Sequence, residues 1–503
     1  MQIHWIDLSI FVLYLTAMMG VGFYFLRKNK TQDDYYVGGR SMSAGHIGLS
    51  VVATDVGGGF SIGLGGLGFV MGLSGSWMLF SGLVGAWLSA VILIPRIYPL
   101  ARKYHFLSFP EALKHFYNQR VAIIAGVISL IGYIGFTSSQ ILAGAKLASA
   151  TFPSLSLTYA VLVMGLIVIV YTSIGGIKAV IYTDTVQWMI LMIGLIFIGI
   201  PLGYFKLGGW SGIQATLPDR FFDLTHIQPI QLFNWLLTIV PIWFIGMTLY
   251  QRIYACRDEK TAKRAWKIAG FFEWPVMAFM GVILGVFARI ALNQNLLAES
   301  GYPVGSDMDA EFGLPVFLRQ ILPIGLMGLM MSAYFSAIMS TADSCLMAAS
   351  GNLTTDIVQP FNKKLTSSIW LTQLATLVLG GLAVFLALNM REVLELMLYS
   401  YAFMVSGLLV PVLMMLFLKT PSPRAALVAM VAGGGTTLTL IASGTSLPWG
   451  LDANFFGISI SLVLFLIIQG FSTNGFQFAH RPSKVPSPTS RTQQSRVENP
   501  SYP

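Results

Sequence analysis

Three groups of residues in this chain could do chemistry, and each suits holding a cation better than breaking a bond. The first is Asp55, two residues before Gly57, Gly58 and Gly59 in VVATDVGGGFSIGLGGLGFVMG, residues 51–72. Glycine disfavours a helix interior by about 1 kcal/mol per residue, so a break is expected there, with free backbone carbonyls and amides. Asp55 then reads either as a cap on those amides or as a cation ligand. The second group is SAYFSAIMSTADSCLMAAS, residues 332–350, with Ser336, Ser340, Thr341, Asp343 and Ser344. At about 100° per residue, Ser340 and Ser344 share a helix face and Thr341 points to the next one. A single hydroxyl in an apolar helix commonly bonds its own backbone at i−4; four hydroxyls and an aspartate within nine residues exceed that habit. The third is Asp184 in YTSIGGIKAVIYTDTVQ, residues 171–187, which reads as a helix N-cap or as a station on a cation's path. Hard cations such as Na⁺ take carbonyl, hydroxyl and carboxylate oxygens, and a broken helix beside a hydroxyl-bearing one offers all three.

The elements that must position these groups are set by composition. Of 503 residues, 55% are apolar and 10% charged, against about 25% charged in soluble domains. That implies an all-α polytopic membrane protein. Thirteen hydrophobic runs are expected over roughly 5–26, 45–71, 76–101, 121–150, 157–177, 184–206, 232–254, 267–292, 314–347, 367–389, 393–418, 425–443 and 453–472, each about as long as the ~20 residues a span needs, or longer. The ninth is too long for one span and predicts either a part that projects beyond the lipid or an outer re-entrant piece. A backbone break at membrane depth survives only where it lines a cavity or is buried in protein. The seventh run, five after the second, also carries helix-weakening residues, Pro241 and Gly246, the pattern of inverted repeats with paired breaks.

Charge placement orients the chain. No Lys or Arg precedes the first run and RKNK follows it, which predicts a retained first helix starting outside. With the N-terminus outside and the C-terminus cytoplasmic, 24 of the 30 basic residues fall on the cytoplasmic side, as the positive-inside rule asks. This accounts for the net charge of +9 without nucleic acid. Cys256 and Cys345 form no disulfide or zinc spacing, the histidines form no metal motif, and no catalytic constellation is evident. Asp7, Glu273 and Glu395 lie near run ends and read as solvated or headgroup-facing. The domain division is a transmembrane domain over 1–472, with its core at 45–418, and a polar, disordered cytoplasmic tail over 473–503.

Together, DDYYVGGRS (33–41), the glycine-broken second run, YTSIGG…YTDTVQ, and AIMSTADSCLMAAS followed by GNLTTDI resemble the sodium/solute symporter family. Its members include bacterial proline, sugar and sialic acid symporters and the animal choline transporter. The resemblance covers residues 1 to about 470 and implies a leucine-transporter-type fold, with runs 2–11 as two inverted five-helix repeats. It also implies a sodium site formed by the carbonyls of Ala53, Val56 and Ala337 and the hydroxyls of Ser340 and Thr341. Some relatives hold a second sodium deeper, which here would involve Asp184, Asp343 and Ser344. Asp343 departs from the hydroxyl pattern there, so one sodium, two, or a proton stay open, with Asp55 a further candidate. The solute would lie beside both breaks, near Gly57, Gly58, Gly59, Phe60 and Gly63, with Phe136, Gln140 and Trp243 opposite. TDVGGGF reads more like the choline transporter than the proline symporters. The implied activity is sodium-coupled symport of a small polar solute, amino-acid-like or a quaternary amine, with the bilayer and the solute as partners and no obligate protein partner. A proton-coupled symporter, a membrane sensor and a channel are the rivals.

Overall fold

The computed structural model describes residues 4–28, 32–174, 177–362, 369–472 and 475–478. Nearly all of the predicted tail, and Gly175–Gly176 of the YTSIGG motif, lie outside the described residues. So do the side chains of Val56 and Phe60.

Long apolar runs, whose backbone groups must bond within their own segment in lipid, fold as helices. In order these are α1 (Trp5–Lys28), α2 (Gln32–Val37), α3 (Ala44–Met71), α4 (Trp77–Ile92), α5 (Ile94–Tyr104), α6 (Phe109–Phe116), α7 (Gln119–Thr151) and α8 (Leu157–Ile174). Then come α9 (Ile177–Gly194), α10 (Ile200–Lys206), α11 (Gly209–Thr216), α12 (Pro229–Ile245), α13 (Met247–Ala255), α14 (Glu259–Phe271) and α15 (Ala278–Asn293). The chain closes with α16 (Ala310–Ile321), α17 (Leu326–Gly351), α18 (Ile369–Asn389), α19 (Val393–Phe417), α20 (Pro423–Ser443) and α21 (Ala453–Gly470). Polar caps mark several starts: Ser108 with Glu111 form a capping box on α6, and Asn118, Asp258 and Ser422 cap α7, α14 and α20.

Among the described residues, eight helices are long and apolar enough to cross a membrane, and nine if the bent pair α12–α13 counts as one span. The chain is an all-α, multi-pass membrane protein. The overlong ninth run is two helices, α16 and α17, separated by a turn at Leu322–Gly325.

Helix α3 runs through the centre, packed against α9, α14, α15, α16 and α17, while α17 also lies along α1 and α7. Two breaks interrupt this core. Gly57 leaves helical geometry inside α3 at φ 34°, ψ −158°, and Gly246 separates α12 from α13 with a 45° bend. Below, the "Trp5 face" is the end of the bundle where α1 begins and the "Arg40 face" the end where it finishes.

Candidate cation and solute site

The α3 break is built by glycine and capped by a side chain from α7. A Cβ at Gly57 would stand 2.7 Å from Thr341 Cγ2 and 2.8 Å from Gln140 Oε1, and one at Gly58 would stand 2.6 Å from Ile338. The freed Gly58 N–H donates to Gln140 Oε1 at 2.7 Å. Asp55 is therefore not the cap that sequence reading offered; its Oδ1 accepts from the Tyr401 hydroxyl at 3.4 Å. The second break is dressed similarly: the Tyr133 hydroxyl accepts from Thr248 N at 3.1 Å and lies 3.1 Å from Thr248 Oγ1.

Glycine-level contact brings the hydroxyl helix against the broken one. Thr341 Oγ1 donates to the Ala53 carbonyl at 3.1 Å and lies 3.2 Å from the Ala337 carbonyl. Ser340 turns its hydroxyl to Asp184 Oδ1. Ser340 and Thr341 are buried, at 5% and 1% exposure. Thr341 thus meets the carbonyls of Ala53 and Ala337, while the neighbouring Ser340 hydroxyl is held by Asp184. Beside Ser340 and Ser336, a cavity of about 300 Å³ between α1, α8, α9 and α17 is walled mostly by apolar groups such as Leu15, Met18 and Leu166.

Asp184 sits inside α9 and not at its start, so the N-cap reading fails. Its carboxylate accepts from Ser50 Oγ at 2.5 Å and from Ser340, and lies 3.5 Å from Arg252 Nη2. Ser344 bonds Arg252 at 3.3 Å. Asp343 turns the other way, accepting from Thr172 Oγ1 on α8 at 2.6 Å.

The candidate solute residues are only partly gathered. Gln140 and Phe136 are buried beside the break, and Phe136 meets Tyr401 edge-on at 5.1 Å. Gly63 is covered by Leu394, whose Cβ would stand 3.0 Å from an added Cβ. Trp243 packs elsewhere, against Gly85 of α4 and Trp266 of α14.

Two run-end acids are not solvated as expected. Asp7 is buried and accepts from Gly325 N and Gly328 N at 2.8 and 2.7 Å, capping α17. Glu273 is fully buried; neither of its oxygens meets a donor among the described residues, and it faces the Asp55 carboxyl within hydrogen-bonding reach. Glu395 is partly exposed and bonds Tyr399 at 2.5 Å.

Both faces are fastened. At the Trp5 face, Lys146 bonds Asp309 at 2.6 Å and Glu311 at 2.7 Å, and Glu311 also accepts from Val393 N and Leu394 N at the start of α19, both at 3.0 Å. At the Arg40 face, Arg40 bonds Asp33 and the Phe106 carbonyl at 2.8 Å, and Met42 N donates to the Ala255 carbonyl at 3.0 Å, tying DDYYVGGRS to the end of α13. Sequence reading missed Arg252, Glu273, Tyr401 and Thr172 as site neighbours.

Comparison with known proteins agrees with this architecture. The chain is 27% identical to the osmoregulated proline transporter of Bacillus subtilis (strain 168), over 91% of this chain and 93% of that one. It is 27% identical to the sodium/proline symporter of Escherichia coli (strain K12), over 96% and 98%. A solved Na⁺-coupled sialic acid symporter, bound to substrate and outward-open, superposes with a TM-score of 0.75 at 23% identity, covering 92% of this chain and 97% of that chain. A closed nucleobase-cation-symport-1 family transporter gives 0.52 at 14%, over 88% and 95%. These likenesses give a leucine-transporter-type fold. A model of the sodium:solute symporter family matches residues 35–433, and the chain belongs to that family of secondary transporters.

Proposed function

We propose that this chain carries a small polar organic solute, amino-acid-like or a quaternary amine, into the cell with sodium by alternating access. The sodium is held by the carbonyls of Ala53, Val56 and Ala337 and the hydroxyls of Ser340 and Thr341. One observation carries the reading: Thr341 reaches the Ala53 carbonyl across the contact between α17 and broken α3. Oxygens drawn from both helices let a bound cation tie one to the other, which steadies the break that borders the solute. Coupling is then reciprocal, each ligand raising affinity for the other by the same factor. The amino-acid-like preference is supported by the proline transport named for the Bacillus subtilis and Escherichia coli relatives. The quaternary-amine alternative rests on TDVGGGF alone.

Within this proposal the chain has thirteen spans, its Trp5 face lies outside, and runs 2–11 form two inverted repeats of five. The support is the pairing of the breaks at Gly57 and Gly246, five runs apart, and the basic residues on the Arg40 side. The test is sodium activation of proline uptake by protein in liposomes. Ser340→Ala with Thr341→Ala is expected to raise the half-activating sodium concentration at least tenfold with little loss of protein. Unchanged sodium dependence removes the assignment.

A second reading, proton coupling, has its own observation. Asp55 and Glu273 face each other in a buried setting, and two carboxyls in that arrangement hold a proton or a cation between them. Uptake driven by an imposed pH gradient without sodium, abolished by Glu273→Gln, would favour it; no uptake under that gradient would dismiss it.

A further inference from the structure

The cavity between α1, α8, α9 and α17 opens sideways. Three residues of its wall, Met19, Leu166 and Val170, are exposed at 41, 64 and 45%. Leu15–Met19 lie midway along α1 (Trp5–Lys28), and Ser336 and Ser340 midway along α17 (Leu326–Gly351). At that depth in a multi-pass membrane protein the opening faces hydrocarbon. The cavity holds about 300 Å³, the lower end of the range for small-molecule sites.

The walls are apolar, but the floor is not. Gln187, Ser336 and Ser340 line it and are all buried, and among the described residues no charged side chain does. Ser340 gives its hydroxyl to Asp184, and Ser336 faces the Tyr14 hydroxyl. Gln187 is left over: its Nε2 reaches only Met18 Sδ, at 3.5 Å, and its Oε1 meets no donor among the described residues. Buried polar atoms are nearly always paired, so an orphan acceptor on a cavity floor calls for a donor from outside the chain. Water fits badly, because an ordered water needs two to four polar partners and most of this wall is apolar. A charged ligand would find no counter-charge. An uncharged molecule with an apolar body and one terminal hydroxyl matches both parts: the body lies against Leu15, Met18 and Leu166, and the hydroxyl donates to Gln187 Oε1.

We propose that this cavity is a binding site, entered from the bilayer, for a neutral amphiphile: an alkyl or aryl body ending in a hydroxyl seated on Gln187. Its occupant packs α1 against α8 and α17 beside Ser340, which gives the contents of the bilayer a hold on the helix that carries the proposed sodium hydroxyls. The site itself does not depend on the sodium assignment.

The test is photolabelling of the full-length protein in phosphatidylcholine bilayers with azioctanol, an octanol that carries a photoreactive diazirine, with the labelled residues identified by mass spectrometry. Labelling is expected to concentrate on the cavity wall, at residues such as Leu15, Met18 and Leu166, to saturate, and to be displaced by excess octanol. Octane has the body without the hydroxyl and is expected to displace it about fivefold less well, the worth of one neutral hydrogen bond. Gln187→Leu should erase that difference. Leu166→Trp with Val170→Trp narrows the mouth from its lipid side and should abolish the saturable labelling. Leu162→Trp, one turn away on α8 and outside the lining, should leave it unchanged. Labelling of wild type that never saturates and scatters over the lipid-facing surface would overturn the site, whatever the variants do. Equal displacement by octane and octanol in wild type would overturn it too, since the occupant would then be no more than a lipid tail.

Discussion

Two carboxylate regions flank the break in α3, and they are balanced in opposite ways. Asp184 is surrounded by donors supplied by the protein: Ser50, Ser340 and the guanidinium of Arg252. Asp55 and Glu273 have one another and a long contact from Tyr401, with Asp55 Oδ2 and both Glu273 oxygens meeting no donor among the described residues. One region is complete as folded. The other has no counter-charge from the protein among the described residues, and two facing buried carboxyls are met by sharing a proton or a cation. The difference separates structure from exchange: a carboxylate with a tethered counter-charge holds helices together, while a pair without one suits a ligand that comes and goes.

That contrast can be broken by substitution. Asp184→Ala strands the buried guanidinium, and removing one partner of such a pair is expected to cost about 3–5 kcal/mol. It should show as a large fall in the midpoint of thermal unfolding. Replacing Asp184 and Arg252 together by Leu and Met should cost far less than the single change. Next in size is Gln140→Leu, which leaves the Gly58 N–H without its acceptor and should cost about 1–3 kcal/mol. The smallest effect is expected from Glu273→Gln, whose amide can donate to Asp55 Oδ2; a change within about 1 kcal/mol is expected. If Glu273→Gln destabilised as much as Asp184→Ala, the contrast between the regions would disappear.

Much of this was legible in the sequence where the signal is local. Three glycines beside an aspartate inside an apolar run announce a broken helix, and the structure breaks at Gly57. Gly246 was legible for the same reason. The hydroxyl run of 336–344 announced a polar face on one helix, and Thr341 does meet Ala53. What could not be read were the partners. Arg252 looked like an ordinary charge at the end of a span, since nothing in YQR says that Asp184 waits opposite. Glu273, placed at a run end, looked solvated because sequence gives depth only to within a few residues. Lys146 met the acidic loop, through Asp309 and Glu311, only in three dimensions. Asp343 was partly legible: three residues from Ser340 on a helix leaves it about 60° off that face, and it bonds α8 accordingly.

The account centres on sodium bridging α3 and α17, and Thr341 is the hydroxyl that crosses that contact without also serving Asp184. The most direct measurement is therefore sodium-dependent thermal stabilisation of wild type and Thr341→Ala, since a ligand of the folded state raises its stability as concentration exceeds the dissociation constant. The expected result is a rise in wild-type Tm with sodium, and a titration for Thr341→Ala displaced to about tenfold higher sodium, matching roughly 1.4 kcal/mol of lost coordination. Superimposable titrations of the two proteins would contradict the account.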